Sequence, residues 1–274
     1  MTKQRLLAEL ERCDREISKC HDGVMRRVHP AEDLLGYHDW HVERRLIVKE
    51  LMNIVEPYAH IYSIQGHVLT DPDAGVRALR MIEWAGRISH RSEDFQTDDT
   101  WKRFIEAIVL GHGDWSIVEH ASATVDMLVD RGITHEIVRH RLFSFTQEST
   151  RFVNYEKKMP PSFIVPPDVG AHATGPWVDS IEQAELSYRA MLARGCTPQI
   201  ARSVFPNALA SRIVVTGNLR NWRHFLLMRT TKEAHPQMRQ VTIPLLAEFK
   251  EKIPLLYDDL QPLMRQADAM RLPR

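Results

Sequence analysis

Residues 139–151 read Arg139-His140-Arg141-Leu142-Phe143-Ser144-Phe145-Thr146-Gln147-Glu148-Ser149-Thr150-Arg151. Three arginines, a histidine and four hydroxyl side chains stand there around a single acid, Glu148. A core element would be dominated by apolar side chains, and an ordinary surface helix would mix charges of both signs. Arginine presents a planar fork of donors that matches phosphate and carboxylate, and it stays charged at any working pH. Hydroxyl and carboxamide groups beside it add directional hydrogen bonds without charge. The combination points to an anion site that also recognises a polar ring; a solvated basic turn is the alternative. Ser149 as a nucleophile would need a base and an orienter within reach, and the sequence supplies no such triad.

Working upstream, Thr134 is a plausible N-cap for a helix through Glu136, Ile137 and Val138 into Arg139. Glu136 reaches Arg139 or His140 at helical spacing, which on a helix surface is a weak pair. Before it, Ala121, Ala123, Val125, Met127 and Val129 alternate with Ser122, Thr124 and Asp126, a strand with one buried face, and Asp130-Arg131-Gly132 makes a turn. Gly111-His112-Gly113-Asp114-Trp115-Ser116-Ile117-Val118-Glu119-His120 holds two histidines and an acid. A helical zinc pair wants His-Glu-x-x-His, and the spacing here differs. Residues 98–110 predict an amphipathic helix on Trp101, Phe104, Ile105, Ile108 and Val109, ended by Gly111. Further back, His60–Ile64 reads as a strand, and Val76, Leu79, Ile82 and Ala85 as a helix up to Ser89. Ser89 either caps that helix or meets a ligand.

Downstream, residues 159–176 hold five prolines and predict a loop, with a helix from Val178 to Leu192. Arg202 falls on a short helix before Pro206. Arg212–Thr216 is β-branched and strand-like. Asn218 is a natural cap for a helix over 219–229. On that helix Asn218, Trp222, Phe225 and Arg229 share one face, so Arg229 continues an apolar stripe. An unpaired guanidinium there would be costly; it needs a structural carboxylate or a ligand. Residues 236–258 predict a final helix.

Residues 1–57 predict a helical extension, with Leu6, Leu10, Cys13, Ile17 and Cys20 on one face and a second helix over roughly 38–55 through Leu46, Ile47, Leu51, Ile54 and Val55. His21, His29, His38 and His41 fall on different faces or in a turn. The 274 residues carry 36 basic and 36 acidic side chains, a balance that argues against nonspecific nucleic-acid binding, which neutralises many phosphates. Three cysteines without metal-ligand spacing indicate a reducing compartment, and no apolar run reaches membrane-spanning length, so a cytoplasmic protein is expected. A hydrolase using a metal on His112, Glu119, His120 and His140 is one rival function. A nucleic-acid module using 139–151 is the other.

Arg139-His140-Arg141, seven residues, then Ser149 resembles the signature of the flavin-dependent thymidylate synthases, with Arg151 two places further on. Five fixed types would coincide by chance in one chain on the order of one time in 10^4. In chain order, Gly86–His90 is similar to that family's Ala-Arg-Val-Ser element. Gly111–His120 is similar to its Gly-His…Ser-x-x-Glu-His element, with two more residues inside. Gln199–Pro206 is similar to its Ala-Arg-x-x-Leu-Pro turn, with Phe205 for leucine. Asn218-Leu219-Arg220…His224…Arg229 resembles its second signature, and His235 follows six residues later where the family spacing is four.

The resemblance covers roughly 58–258 and implies reductive methylation of dUMP to dTMP, with FAD as cofactor and NADPH and methylenetetrahydrofolate as co-substrates, without a covalent enzyme nucleophile. It implies Arg229 as the catalytic group, stabilising negative charge on uracil. It assigns dUMP to Glu136, Ile137, Val138, Arg139, Gln147, Glu148, Ser149, Thr150, Arg151, Arg202 and Arg229. It assigns FAD to Ser89, Ser116, Glu119, Arg139, His140, Arg141, Gln147, Asn218, Arg220, His224 and His235, and it calls for no metal. No Gly-x-Gly-x-x-Gly fingerprint appears, so the flavin would be held by another fold. The implied architecture is α+β: a twisted, mainly antiparallel sheet packed with helices over 58–274, behind the helical extension 1–57. The implied assembly is a homotetramer with sites at subunit interfaces.

Overall fold

The computed structural model describes residues 52–68, 71–157, 159–167, 169, 171–269 and 271–272, together with 8, 9, 11–16, 18, 43 and 47. Its strands are β1 (Asn53–Ile54), β2 (Tyr58–Ile64), β3 (His67–Val68), β4 (Ser122–Asp130), β5 (Ser144–Gln147), β6 (Ser162–Phe163) and β7 (Ala210–Asn218). The helices begin with α1 (Ala74–Ile88), α2 (Thr100–Phe104), α3 (Arg131–Ile137) and α4 (Ala171–Ala193). They continue with α5 (Pro198–Ala201), α6 (Leu219–Arg229), α7 (Pro236–Lys252) and α8 (Gln266–Ala269). The chain divides into two compact units, residues 1–55 with 149–209 and residues 56–148 with 210–274.

The larger unit is built on an antiparallel sheet of order β3-β2-β4-β7-β5. Alternation along β4 turns Ala123, Val125, Met127 and Val129 into the core, as the period of two requires. β4 pairs with β7 from Ser122↔Asn218 to Asp130↔Ala210, and on the opposite face Arg212 donates twice to Asp126, at 2.8 Å each. The buried cluster on the inner face draws Leu79 and Ile82 from α1, Trp222 and Phe225 from α6, and Leu245 and Phe249 from α7. Trp222 Nε1 donates to Ala123 O at 2.9 Å, which ties α6 to the sheet. The α+β class and the mainly antiparallel sheet agree with the sequence reading.

Several local expectations are corrected. The helix over 98–110 is α-helical only to Phe104; Ile105–Gly111 is a π-helix, with His112 N donating to Ala107 O five residues back. Wider turns absorb extra residues without losing the buried Ile105 and Val109. The cap of α3 is Asp130 rather than Thr134: its carboxylate accepts from Ile133 N at 2.7 Å, so the strand end itself starts the helix and no separate turn intervenes. That helix ends at Ile137, so Arg139–Arg141 lie beyond it. Gln147, read as a loop residue, belongs to β5. The last long helix stops at Lys252 instead of 258, because Pro254 disfavours helical backbone at Ile253, whose φ and ψ are −129° and 78°.

In the smaller unit β1 and β6 pair in parallel, and Asn53 Nδ2 donates to Ser162 Oγ at 2.6 Å. Ile54 is therefore in a strand, not the tail of a helix over 38–55. The unit's core gathers Met52, Phe163, Val178, Ile181 and Leu209, and Phe205 stacks on Tyr188 with ring centroids 4.5 Å apart. Burial of Val178 and Ile181 supports α4, which begins at Ala171, inside the stretch read as loop. Residues 8, 9, 11–16 and 18 are helical with Cys13 buried, Ile47 is buried, and Arg12 Nη2 lies 2.7 Å from Glu43 Oε1. Leu6, Leu10, Ile17, Cys20, His21, His29, His38, His41, Leu46 and Leu51 lie outside the described residues.

Candidate active site

Helix α6 organises the site. Its cap is the one the sequence indicates: Asn218 Oδ1 accepts from Asn221 N at 2.8 Å. Facing it, the segment after α3 is held down by Phe143, whose ring meets Trp222 edge-on at 4.8 Å. Gly217 makes room for that ring; a Cβ there would overlap Phe143. Asn221 Nδ2 donates to Leu142 O at 3.0 Å, a second tie between the segment and α6.

Those ties bring the two arginine-bearing stretches together. Arg229 Nη1 donates to Glu136 Oε2 at 3.0 Å, and Arg229 Nε donates to His140 Nε2 at 2.9 Å. The arginine on the apolar stripe thus has its carboxylate, and Glu136 pairs with Arg229 rather than Arg139. His140 packs edge-on against Phe225 at 4.9 Å, with His224 at 6.3 Å. Burial first, then the Arg229 charge, then His224, lower the His140 pKa from 6.5 to about 4. His140 is therefore neutral at pH 7; since its Nε2 accepts, Nδ1 carries the proton.

Beside this cluster α6 walls a cavity of about 280 Å³, lined by Glu119, Leu142, Arg220, Asn221, Arg223, His224 and Leu227. Arg220 Nη1 lies 2.6 Å from Glu119 Oε1. Arg223 is buried and donates to Leu256 O at 2.7 Å and to both Asp259 oxygens at 2.6 and 2.5 Å, over the Trp115 ring at 4.4 Å. Sequence reading missed Arg223. A signal was present: Arg223 stands four residues after Leu219 and three before Leu226, both fully buried, so the stripe argument made for Arg229 applies to it as well.

The other expected site residues divide. Gln147 Nε2 donates to Thr134 Oγ1 at 3.1 Å and Ser211 Oγ at 3.0 Å. Glu148 N donates to Arg212 O, Ile137 is in the core and Val138 packs against it. Arg139 and Arg141 are exposed, and among the described residues neither side chain has a hydrogen-bond partner. Ser116 is exposed on a 3-10 turn. Ser89 ends α1, donating to Gly86 O at 2.8 Å, and His235 caps α7, its Nδ1 accepting from Gln237 N at 3.2 Å. Both side chains serve helix ends. Ser149, Thr150, Arg151 and Arg202 belong to the smaller unit, where Arg202 Nη1 donates to Thr150 Oγ1 at 2.8 Å and Arg151 Nε to Gln199 Oε1 at 3.2 Å. Among the described residues no three or more His, Cys, Asp or Glu side chains form a candidate metal-ligand group, so His112, Glu119, His120 and His140 do not assemble as the rival metal site required. Nor is any described helix long and apolar enough to cross a membrane.

The α+β scaffold thus brings Glu136 and His140, from the segment around the first motif, onto Arg229 at the end of α6. A sequence model described as thymidylate synthase complementing protein matches residues 74–255. The flavin-dependent thymidylate synthase of Corynebacterium efficiens is 35% identical over 215 residues, covering 71% of this chain and 84% of the relative. That of Mycobacteroides abscessus is 35% identical over 210 residues, covering 69% and 81%. In structure the chain is similar to thymidylate synthase X from Helicobacter pylori, crystallised with FAD and dUMP. The TM-score is 0.61 at 17% identity, over 75% of this chain and 99% of the other. The chain belongs to the flavin-dependent thymidylate synthase family, and is an enzyme of the methyltransferase class.

Proposed function

We propose that the protein converts dUMP to dTMP by reductive methylation, taking the carbon from methylenetetrahydrofolate and reducing equivalents from NADPH through FAD. The observation that carries this reading is the Arg229–His140 hydrogen bond of 2.9 Å, which joins the two motifs 89 positions apart in the chain. The donor set beside it fits a flavin: Leu142 and Leu227 offer an apolar wall to a flat ring, and Arg220 and His224 offer donors to its polar edge or phosphates. Bound there, FAD would supply hydride chemistry that no side chain can. Arg220, His224 and Asn221 would hold it, and Arg139 and Arg141, with no partner of their own among the described residues, would take further anionic groups. Arg229 would stabilise negative charge developing on the uracil ring, a preorganised donor acting where the charge appears. Thr150, Arg151 and Arg202 would serve the dUMP phosphate. With positioning and electrostatics carrying the protein's part, no covalent nucleophile is called for. The catalytic body would span 58–274 with 1–57 appended, and the working form would be a cytoplasmic homotetramer with sites at subunit interfaces.

The test is an absorbance titration of purified protein with FAD and then dUMP, followed by assay of dTMP with both co-substrates. Flavin binding, a spectral change on adding dUMP and dTMP formation are expected. Arg229→Ala should lower kcat by about 10²-fold or more while flavin stays bound. No flavin binding with excess FAD overturns the proposal.

A further inference from the structure

Arg229 is held at two points, and the two acceptors differ in charge. Glu136 Oε2 takes Nη1 and His140 Nε2 takes Nε. One bond alone would let the guanidinium swing about it, because a long, flexible arginine side chain retains many rotamers. Two acceptors on different nitrogens fix its plane. Nη2 and the second Nη1 hydrogen are then left without partners among the described residues. The segment carrying His140 is itself held, through Phe143 on Trp222 and Asn221 on Leu142 O.

We propose that His140 is a positioning residue for Arg229: as a neutral acceptor it orients the guanidinium for an anionic or polarised ring without cancelling its charge. This rests on the function proposed above and adds to it a role for a side chain within the first motif. A second carboxylate at this place would orient Arg229 equally well, but two anions around one guanidinium would leave a net negative cluster. That cluster would repel an anionic nucleotide and the charge developing on its ring. Imidazole accepts at Nε2 only when unprotonated. Arg229 and His224 on α6 both disfavour its protonation, as does burial against Phe225, and Glu136, the nearby acid, is engaged by Arg229. Arg139 and Arg141, on the same segment, add no acid that would reverse this.

The experiment compares wild type, His140→Leu, His140→Gln, Arg229→Ala and the double variant His140→Leu/Arg229→Ala, each first matched for flavin content and melting temperature. His140→Leu should lower kcat about 10-fold or more with the KM for dUMP changed less than about threefold, the pattern of an interaction that matters in the transition state. His140→Gln, which keeps an acceptor, should recover part of the loss. In the Arg229→Ala background, His140→Leu should change kcat by less than about twofold, because coupled residues are not additive. Full additivity, or a glutamine variant no better than leucine, overturns the proposal. Nitrogen-15 NMR of wild-type protein decides the bond without turnover. An unprotonated Nε2 on His140 at pH 7, and an Arg229 Nε–H whose slow solvent exchange is lost in His140→Leu, are expected. A protonated Nε2, or exchange unchanged in the variant, overturns it. A wild type that makes no dTMP sinks the function proposed above, and the NMR result then still decides whether His140 orients Arg229.

Discussion

Removing the Asp259 carboxylate should cost more than removing the arginine it pairs with. Arg223 is 2% exposed, whereas the Asp259 side chain is 37% exposed. In Asp259→Ala the guanidinium stays buried without its carboxylate. Breaking a buried pair from one side costs about 3–5 kcal/mol. Solvent around the aspartate screens part of this, leaving about 2–3 kcal/mol. In Arg223→Met the orphaned carboxylate turns to water and the new side chain refills the space over Trp115. The losses include the hydrogen bond to Leu256 O and the cation–π contact with Trp115, each about 1 kcal/mol. For a unit of this size one kcal/mol moves Tm by about 2–4 °C, so Asp259→Ala should melt about 4–12 °C below wild type. Arg223→Met should fall between it and wild type. Thermal unfolding of flavin-free protein followed by circular dichroism measures both. An arginine variant as destabilised as the aspartate variant, or an Asp259→Ala shift below about 2 °C, would refute the burial asymmetry.

Two further expectations concern backbone contact and pH. A Cβ at Gly75 would overlap the Lys252 carbonyl, which is backbone and cannot swing aside, so Gly75→Ala should cost at least about 2 kcal/mol. Gly113, with φ +84° and nothing within 4 Å of a Cβ, pays only left-handed strain of about 1–2 kcal/mol; melting curves that reverse this order contradict the α1–α7 packing. The His140 pKa falls from 6.5 to about 4 on folding, so between those values the unfolded chain binds the extra proton. Its contribution to stability is whole above about pH 6.5 and is lost as pH falls through about 4. The Tm of wild type should drop faster than that of His140→Gln across this window. A constant difference between the two from pH 7 to 4 would mean that His140 does not titrate in this way.

Much of the larger unit was legible because its signals are local. The alternation of β4, the β-branched run of β7 and the Asn218 cap each depend on residues a few positions apart, and the structure has all three. Boundaries were less legible where one residue does two jobs. Asp130 ends β4 and caps α3, and the cap is visible only once its carboxylate is seen on Ile133 N. The helix over 98–110 keeps its buried stripe yet widens into a π-helix, since periodicity reports which face is covered and not how the hydrogen bonds close. Residues 149–209 group in one compact unit with residues 1–55, where Met52 is buried with Phe163, Val178, Ile181 and Leu209, a contact that no local pattern reports.

The sequence by itself determined the residue types, the motifs and the cost of an unpaired arginine on the buried face of α6. It left open whether a carboxylate or a ligand meets Arg229. Only the tertiary structure decided that, by pairing β4 with β7 so that the segment after α3 lies against α6 and delivers Glu136 and His140 to one guanidinium. The physical reason is range. Helical and strand periodicity are set by backbone geometry within a turn or a pleat, whereas an acceptor 93 positions away is brought into reach by the packing of the whole sheet and its helices.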